Sequence, residues 1–91
     1  MPRPRKGRNI RFRAKSTYYK PAGIPIRDLE EVVMTKEEME ALRLKNIEGL
    51  DQEQASKKMN ISQPTFHRTL SIASKKLTEA VVKGKAIRIE D

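Results

Sequence analysis

The side chains best suited to chemistry with another molecule lie close together, between residues 62 and 75. Gln63 and Arg68 belong to the residue types that form paired hydrogen bonds with the edges of adenine and guanine, respectively. No acid occurs between Ile61 and Thr78, so this stretch would not repel a polyanion. We therefore take seven residues as candidates for contact with DNA bases or phosphates: Ser62, Gln63, Thr65, His67, Arg68, Ser71 and Lys75.

The sequence offers little support for catalysis. His67 is the one histidine, and neither a nucleophile nor a carboxylate stands at the spacing of a catalytic triad. Cysteine is absent, which excludes disulfides and thiolate metal sites, and no glycine-rich phosphate loop or set of metal ligands occurs. We predict that the protein is not an enzyme and uses no cofactor or metal.

Glu37, Glu38 and Glu40 form a group of carboxylates that could suggest a catalytic cluster. They fall in the first turn of a predicted helix, where acids interact favourably with the helix dipole. We therefore expect a solvated face that supports the helix cap.

Three helices are predicted to position the candidate residues, over 36–48, 52–59 and 63–82. A capping box of Thr35 with Glu38 begins the first helix, and Asp51 with Gln54 repeats this pattern before the second. Ser62 can cap the third helix, which has a proline in its first turn, where the missing N–H costs little.

The apolar residues recur at helical spacing and predict how these helices pack. On the first helix they are Met39, Ala41, Leu42, Leu44 and Ile47. On the third helix they are Phe66, Leu70, Ala73, Leu77, Ala80 and Val81. Three residues join the second and third helices, and Asn60 among them tolerates a positive φ. The predicted fold class is mainly α, with a helix-turn-helix in a three-helix core over residues 35–83.

Residues 1–15 form a basic N-terminal arm. Its first nine residues, MPRPRKGRN, hold two prolines, a glycine and almost no apolar side chains, which predicts a flexible segment in solution. The arm carries seven bases that are candidates for binding phosphate: Arg3, Arg5, Lys6, Arg8, Arg11, Arg13 and Lys15.

Two further segments flank the helices. Residues 16–34 contain YYKPAGIPI and are predicted as an ordered irregular connection, with both tyrosines packed against the helices rather than stacked on bases. Residues 84–91 form a C-terminal tail. Isoleucines alternating with arginine indicate a short strand at 87–89, and a similar alternation indicates one at 10–12. These two strands could pair with each other or across a dimer.

The net charge of +8 is concentrated in one segment. Residues 1–20 hold eight of the 20 bases and no acid, and the remaining twelve bases match twelve acids. A chain polarised in this way attracts polyanions such as nucleic acid. A length of 91 residues predicts one small domain, and no apolar run is long enough to span a bilayer. We expect a cytoplasmic protein without a membrane partner.

Four stretches together resemble a small prokaryotic family of uncharacterised proteins that are predicted to bind DNA (uncharacterised protein family 0251, domain of unknown function 134). They are RPRKGR, TYYKPAGIPIRDLEEVVMTKEEMEALRL, EGLDQEQASKKMNISQPTFHR and GKAIRIE. The stretch LDQEQASKKMNISQPTFHRTLSIASKKL is also similar to the promoter-reading region four of sigma factors. This likeness implies a DNA-binding helix-turn-helix, with Gln63, Thr65, His67 and Arg68 at base-reading or phosphate positions. Gln63 and His67 depart from the residues expected there, so the likeness implies no target sequence.

Three functions remain open at this point. The favoured one is a duplex-DNA binder that acts as a transcriptional regulator, and a homodimer is a reasonable expectation because one helix-turn-helix contacts few base pairs. The second is a structured-RNA or ribosome-associated binder that uses the basic arm. The third is a protein-interaction module that docks on the transcription machinery through the acid-rich residues 28–53. The sequence assigns no small-molecule effector.

Overall fold

Three helices and a small sheet make up residues 17–90, the part of the chain that the computed structural model describes. The elements are β1 (Tyr18–Tyr19), a short 3-10 turn (Ile26–Asp28), β2 (Glu31–Met34), α1 (Lys36–Leu42), α2 (Gln52–Met59), α3 (Gln63–Lys83) and β3 (Ala86–Ile89). The prediction of a helical core with short strands is confirmed. Within residues 17–90, no helix is long and apolar enough to cross a membrane.

The first two helices begin at reciprocal caps, where the sequence predicts them. Thr35 Oγ1 accepts a hydrogen bond from the Glu38 N–H at 3.1 Å, and Glu38 Oε1 accepts one from the Thr35 N–H at 2.9 Å. Asp51 Oδ1 accepts from the Gln54 N–H at 2.8 Å, and Gln54 Oε1 accepts from the Asp51 N–H at 3.1 Å. Each pair satisfies two backbone donors that a helix start would otherwise leave without a partner.

The end of the first helix differs from the prediction. After α1 the chain continues in a wider turn, Arg43–Ile47, closed by a hydrogen bond from the Glu48 N–H to the Arg43 carbonyl. A turn with this i to i+5 spacing holds more residues than an α turn, so the apolar pattern falls out of phase. Leu44 is buried, whereas Ile47 is 79% exposed. The assignment of Ile47 to the core was wrong for this reason.

The segment predicted as an irregular connection contains two strands of the sheet. The strand order is β1-β3-β2, with β3 antiparallel to β1 and parallel to β2. In the parallel pair Val32 lies opposite Ile87, and Met34 lies opposite Ile89. The predicted strand at 87–89 therefore pairs within this chain. Its suggested partner at 10–12 lies outside the described residues.

The core consists of two adjoining clusters. Near the sheet, Val32, Met34, Leu42, Ala73, Ala80 and Ile87 pack together. Near the turn between α2 and α3, the cluster is Ala41, Leu44, Ala55, Met59 and Phe66. Leu70 packs against both clusters and joins them.

The apolar stripe of α3 is narrower than predicted. Phe66, Ala73 and Ala80 are fully or almost fully buried, but Leu77 is 37% exposed and Val81 72% exposed. The buried residues recur every seven positions because α1, α2 and the sheet all pack on one side of α3. The prediction that Leu77 and Val81 belong to the core was therefore wrong.

The acidic start of α1 also differs from the prediction, since Glu37, Glu38 and Glu40 are all buried. Glu38 supports the cap, as expected. Both of its carboxylate oxygens also accept hydrogen bonds from Lys76 Nζ, each at 3.0 Å. Glu40 accepts two hydrogen bonds from Arg43, at 2.8 and 3.0 Å. Burying a carboxylate is tolerable when a base pairs with it. A solvated face was the wrong expectation because these bases approach from α3 and from the end of the same helix.

Candidate nucleic-acid interface

The seven candidate residues of the helical region lie at the cap of α3 and along its first thirteen residues, 63–75. Six of them are exposed, and Thr65 is partly buried. Phe66 and Ala73 point into the core from the same half of the helix, so the exposed candidates occupy the opposite side. The seven bases proposed for phosphate contact in the N-terminal arm lie outside the described residues.

Contacts beneath α3 fix this exposed face. Phe66 is completely buried among Ala55 and Met59 of α2 and Ala41 and Leu44 of the first helix. Asn60 adopts φ 58° and ψ 47°, the left-handed conformation that asparagine tolerates, and ends α2. Only Asn60, Ile61 and Ser62 separate the two helices. The short turn and the buried aromatic ring together hold the exposed face of α3 in one orientation.

The cap of α3 consumes some of the donors predicted to bind phosphate. Ser62 Oγ accepts from the Thr65 N–H at 3.2 Å and donates its proton to Thr65 Oγ1 at 2.8 Å. Pro64 has no N–H. The hydroxyl proton of Thr65 is still available, whereas that of Ser62 is committed to the cap. Ser62 therefore acts on phosphate only if the cap rearranges.

One residue of this region was not found by sequence reasoning. Gln52, the first residue of α2, donates from Nε2 to the Gln63 carbonyl, the first of α3, at 3.1 Å. The two residues are eleven positions apart, and no local pattern relates a side chain to a carbonyl across a turn. The contact joins the starts of the two helices beside the exposed face.

Ion pairing distinguishes the two sides of α3. Lys76 Nζ points inward to Glu38 and to the Val33 carbonyl, at 3.0 and 2.8 Å. Among residues 17–90, no acid lies within salt-bridge distance of Arg68 or Lys75. The exposed side therefore carries positive charge that the described fold does not neutralise.

Ion pairs outside this face shift the pKa values of Arg43, Glu79 and Lys85. Hydrogen bonds from Arg43 to Glu40 raise the pKa of the arginine above its usual value. Lys85 donates to Glu79 at 2.6 Å, which lowers the pKa of Glu79 and raises that of Lys85. In the part of the chain that is described, no group of three histidine or acidic side chains could hold a metal ion. The exposed face of α3 offers hydrogen-bonding groups and positive charge.

This architecture defines a class of small helical proteins. Its members would have a few short strands and one helix with a polar, basic face. The chain belongs to the family described as "Protein of unknown function DUF134", whose model matches residues 1–91. It is 52% identical over 90 residues to "UPF0251 protein TTE1845" of Caldanaerobacter subterraneus subsp. tengcongensis, covering 99% of this chain and 76% of the relative.

Two further relatives exceed this chain in length by a larger margin. The chain is 52% identical to a "UPF0251 protein" of Moorella thermoacetica and 53% identical to one of Desulforudis audaxviator, in each case over 90 residues and 99% of this chain. It spans only 60% and 59% of their lengths. No solved structure matches the chain.

Proposed function

We propose that the protein binds duplex DNA and acts as a transcriptional regulator, with α2, the turn and α3 serving as a helix-turn-helix. The exposed, acid-free polar face along residues 63–75 of α3 is the observation that carries this proposal. Residues 63–75 extend about 18 Å at about 1.5 Å per residue. That length presents several base-contacting residues to a major groove about 12 Å wide.

The residues divide between two kinds of contact. Gln63, His67 and Arg68 lie in the N-terminal turns of α3, which contact base edges when a recognition helix enters the major groove. Ser71 and Lys75 lie one to two turns further along, where the helix leaves the groove and meets the backbone. The basic arm adds phosphate contacts that are largely indifferent to sequence.

Duplex DNA is favoured over RNA by the placement of aromatic residues. Sequence-specific RNA binding relies on stacking unpaired bases on aromatic side chains. In the described part of the chain, the exposed aromatic residues are Tyr18 and Tyr19, which lie in β1 and not on α3. Both tyrosines were predicted to pack against the helices; the structure instead places them in β1, paired with β3, and leaves them 38% and 47% exposed.

A regulator of this kind would work in the cytoplasm, and two copies would read neighbouring half-sites. Successive major grooves on one side of the duplex lie about 34–36 Å apart. A homodimer with that spacing would double the number of base pairs that are read. Docking on the transcription machinery through residues 28–53 is compatible with this role.

The decisive experiment selects bound fragments from random duplex DNA and then compares two changes across a salt series. Arg68→Ala should weaken binding to the selected site by about 1–3 kcal/mol and relax the base preference at one position. Lys83→Ala is the matched control, because Lys83 is an exposed base on the same helix but at its far end. An equal loss in both variants would contradict the proposed reading face.

Deletion of residues 1–15 tests the arm separately. If about half of its seven bases contact phosphate, the slope of log affinity against log salt should fall by about 3, at about 0.9 per phosphate. Affinity should fall alike for selected and scrambled duplexes. Loss of sequence preference on arm deletion, with preference intact in Arg68→Ala, would place the reading surface in the arm. Preferential binding to structured RNA in a competition assay would contradict the duplex-DNA proposal as a whole.

A further inference from the structure

The start of α3 is short of hydrogen-bond donors for a helix end proposed to approach DNA. Pro64 supplies no N–H, the Thr65 N–H is taken by Ser62, and the Ser62 hydroxyl proton is taken by Thr65. Of the donors usual at a helix start, the Gln63 N–H and the Thr65 hydroxyl proton are left over. A phosphate beside this end could therefore accept two hydrogen bonds from α3 itself, and a donor from elsewhere in the fold would add a third.

Gln52 brings such a donor to this place. One N–H of its side-chain amide is committed to the Gln63 carbonyl, at 3.1 Å. An amide nitrogen carries two protons, so the second N–H can serve a ligand beside the start of α3. The side chain is partly buried, so the committed bond also restricts where the second N–H can point.

The chemistry of the neighbouring residues explains why a neutral amide suits this position. Acids are favoured in the first turn of a helix, and both residues beside Gln52, Asp51 and Glu53, are acidic. A carboxylate at 52 would face the Gln63 carbonyl without a proton to donate and would repel an anion. The amide donates in both directions, which a carboxylate cannot do.

We propose that Gln52 is a positioning residue that binds a backbone phosphate of the DNA and holds that phosphate in fixed register with α3. This inference rests on the proposed function and adds a residue outside the recognition helix to it. Through the bond to the Gln63 carbonyl, the phosphate contact sets how far the start of α3 enters the groove. Gln52 therefore contributes to specificity through the placement of Gln63 and Arg68 without touching a base.

Gln52→Met tests this, because methionine keeps the length of the side chain and removes both amide protons. We expect about a tenfold weaker affinity for the selected site and an unchanged salt slope, because a neutral amide bonds a phosphate without releasing counterions. Gln54→Met is the matched control, since it makes the same change two residues away, in the capping box of the same helix. It should destabilise α2 at least as much and leave the affinity for the selected site nearly unchanged.

Duplexes with single neutral methylphosphonates then locate the contact. One such position in the selected site should weaken the unaltered protein and should weaken Gln52→Met no further, since the contact is already lost. Equal losses for both proteins at every position, or an equal loss of affinity in Gln54→Met, would show that Gln52 acts only in packing and would overturn this inference alone. Failure of the unaltered protein to bind duplex DNA would overturn the proposed function, and this inference with it.

Discussion

Around the start of α1 charges are paired inside the fold, whereas Arg68 and Lys75 of α3 face solvent without an acid within salt-bridge distance among residues 17–90. Glu38 and Glu40 are buried and held by Lys76 and Arg43. Arg68, on the exposed side of α3, has no such partner among residues 17–90. The two regions show that this small fold uses part of its charge to hold its elements together. The charge left over on α3 is what another molecule would meet.

Adjacent lysines show the same difference on a single helix. Lys76 bonds Glu38 and the Val33 carbonyl, which lies in β2, so one ammonium joins α3, α1 and the sheet. Lys75 is exposed and makes no salt bridge within the described part of the chain. A charge count along the sequence treats these residues alike, although only one of them is free to act on a ligand.

Removing the side chain beneath the exposed polar face of α3 should have the largest effect. Phe66→Ala should cost about 3–5 kcal/mol, because the ring is completely buried at the meeting point of three helices. The free energy of unfolding of a small domain is about 5–15 kcal/mol in total, so denaturant unfolding should show a large loss of stability. His67→Ala, one residue along, should keep the stability within about 0.5 kcal/mol and change DNA affinity instead. A melting temperature for Phe66→Ala close to that of the unaltered chain would contradict the packing described here.

The paired lysines offer a sharper comparison of intermediate size. Lys76→Met should destabilise the fold by about 1–3 kcal/mol, because it leaves a buried carboxylate without its base. The cost is below that of a fully buried pair because the Lys76 side chain is 33% exposed. Lys75→Met should leave the melting temperature unchanged and weaken DNA binding. The reverse pattern would show that Lys75 faces the core and Lys76 faces solvent.

The partly buried pair of Glu79 and Lys85 near the end of α3 should have the smallest effect. Lys85 lowers the pKa of Glu79, so this bond stabilises the fold above the ordinary pKa of a glutamate and is lost as pH falls through the lowered value. Glu79→Gln should therefore melt slightly below the unaltered chain at neutral pH, and the difference should vanish in acid. A difference in melting temperature that grows as the pH falls would contradict a lowered pKa of Glu79 in the folded protein.

Local signals in the sequence predicted the helix starts well. The capping boxes at Thr35 and Asp51, and the cap at Ser62, involve residues three apart, which a sequence shows directly. The turn at Asn60 was also predictable from a local signal, because asparagine is one of the few residues that adopt a positive φ. These features also place the candidate residues of α3 on one exposed side.

Features that depend on distant contacts were missed. β2 has only four residues and becomes a strand by pairing with β3 at the other end of the helical region. Burial of Glu38 depends on Lys76, which is 38 residues away in the chain. The exposure of Val81 depends on which side of α3 the other elements cover. Gln52 was missed for a similar reason, because its partner is a backbone carbonyl across the turn.

The parallel pairing of β2 with β3 also bears on how quickly the protein can fold. The helices form through contacts between near neighbours, but the Glu31–Arg88 bond across the sheet joins residues 57 apart. Closing so long a loop costs entropy before the contacts it brings can compensate, and non-local contacts slow folding. We expect the helical core to assemble early and the sheet to close last, so that substitutions at Ile87 mainly speed unfolding and those at Phe66 slow folding.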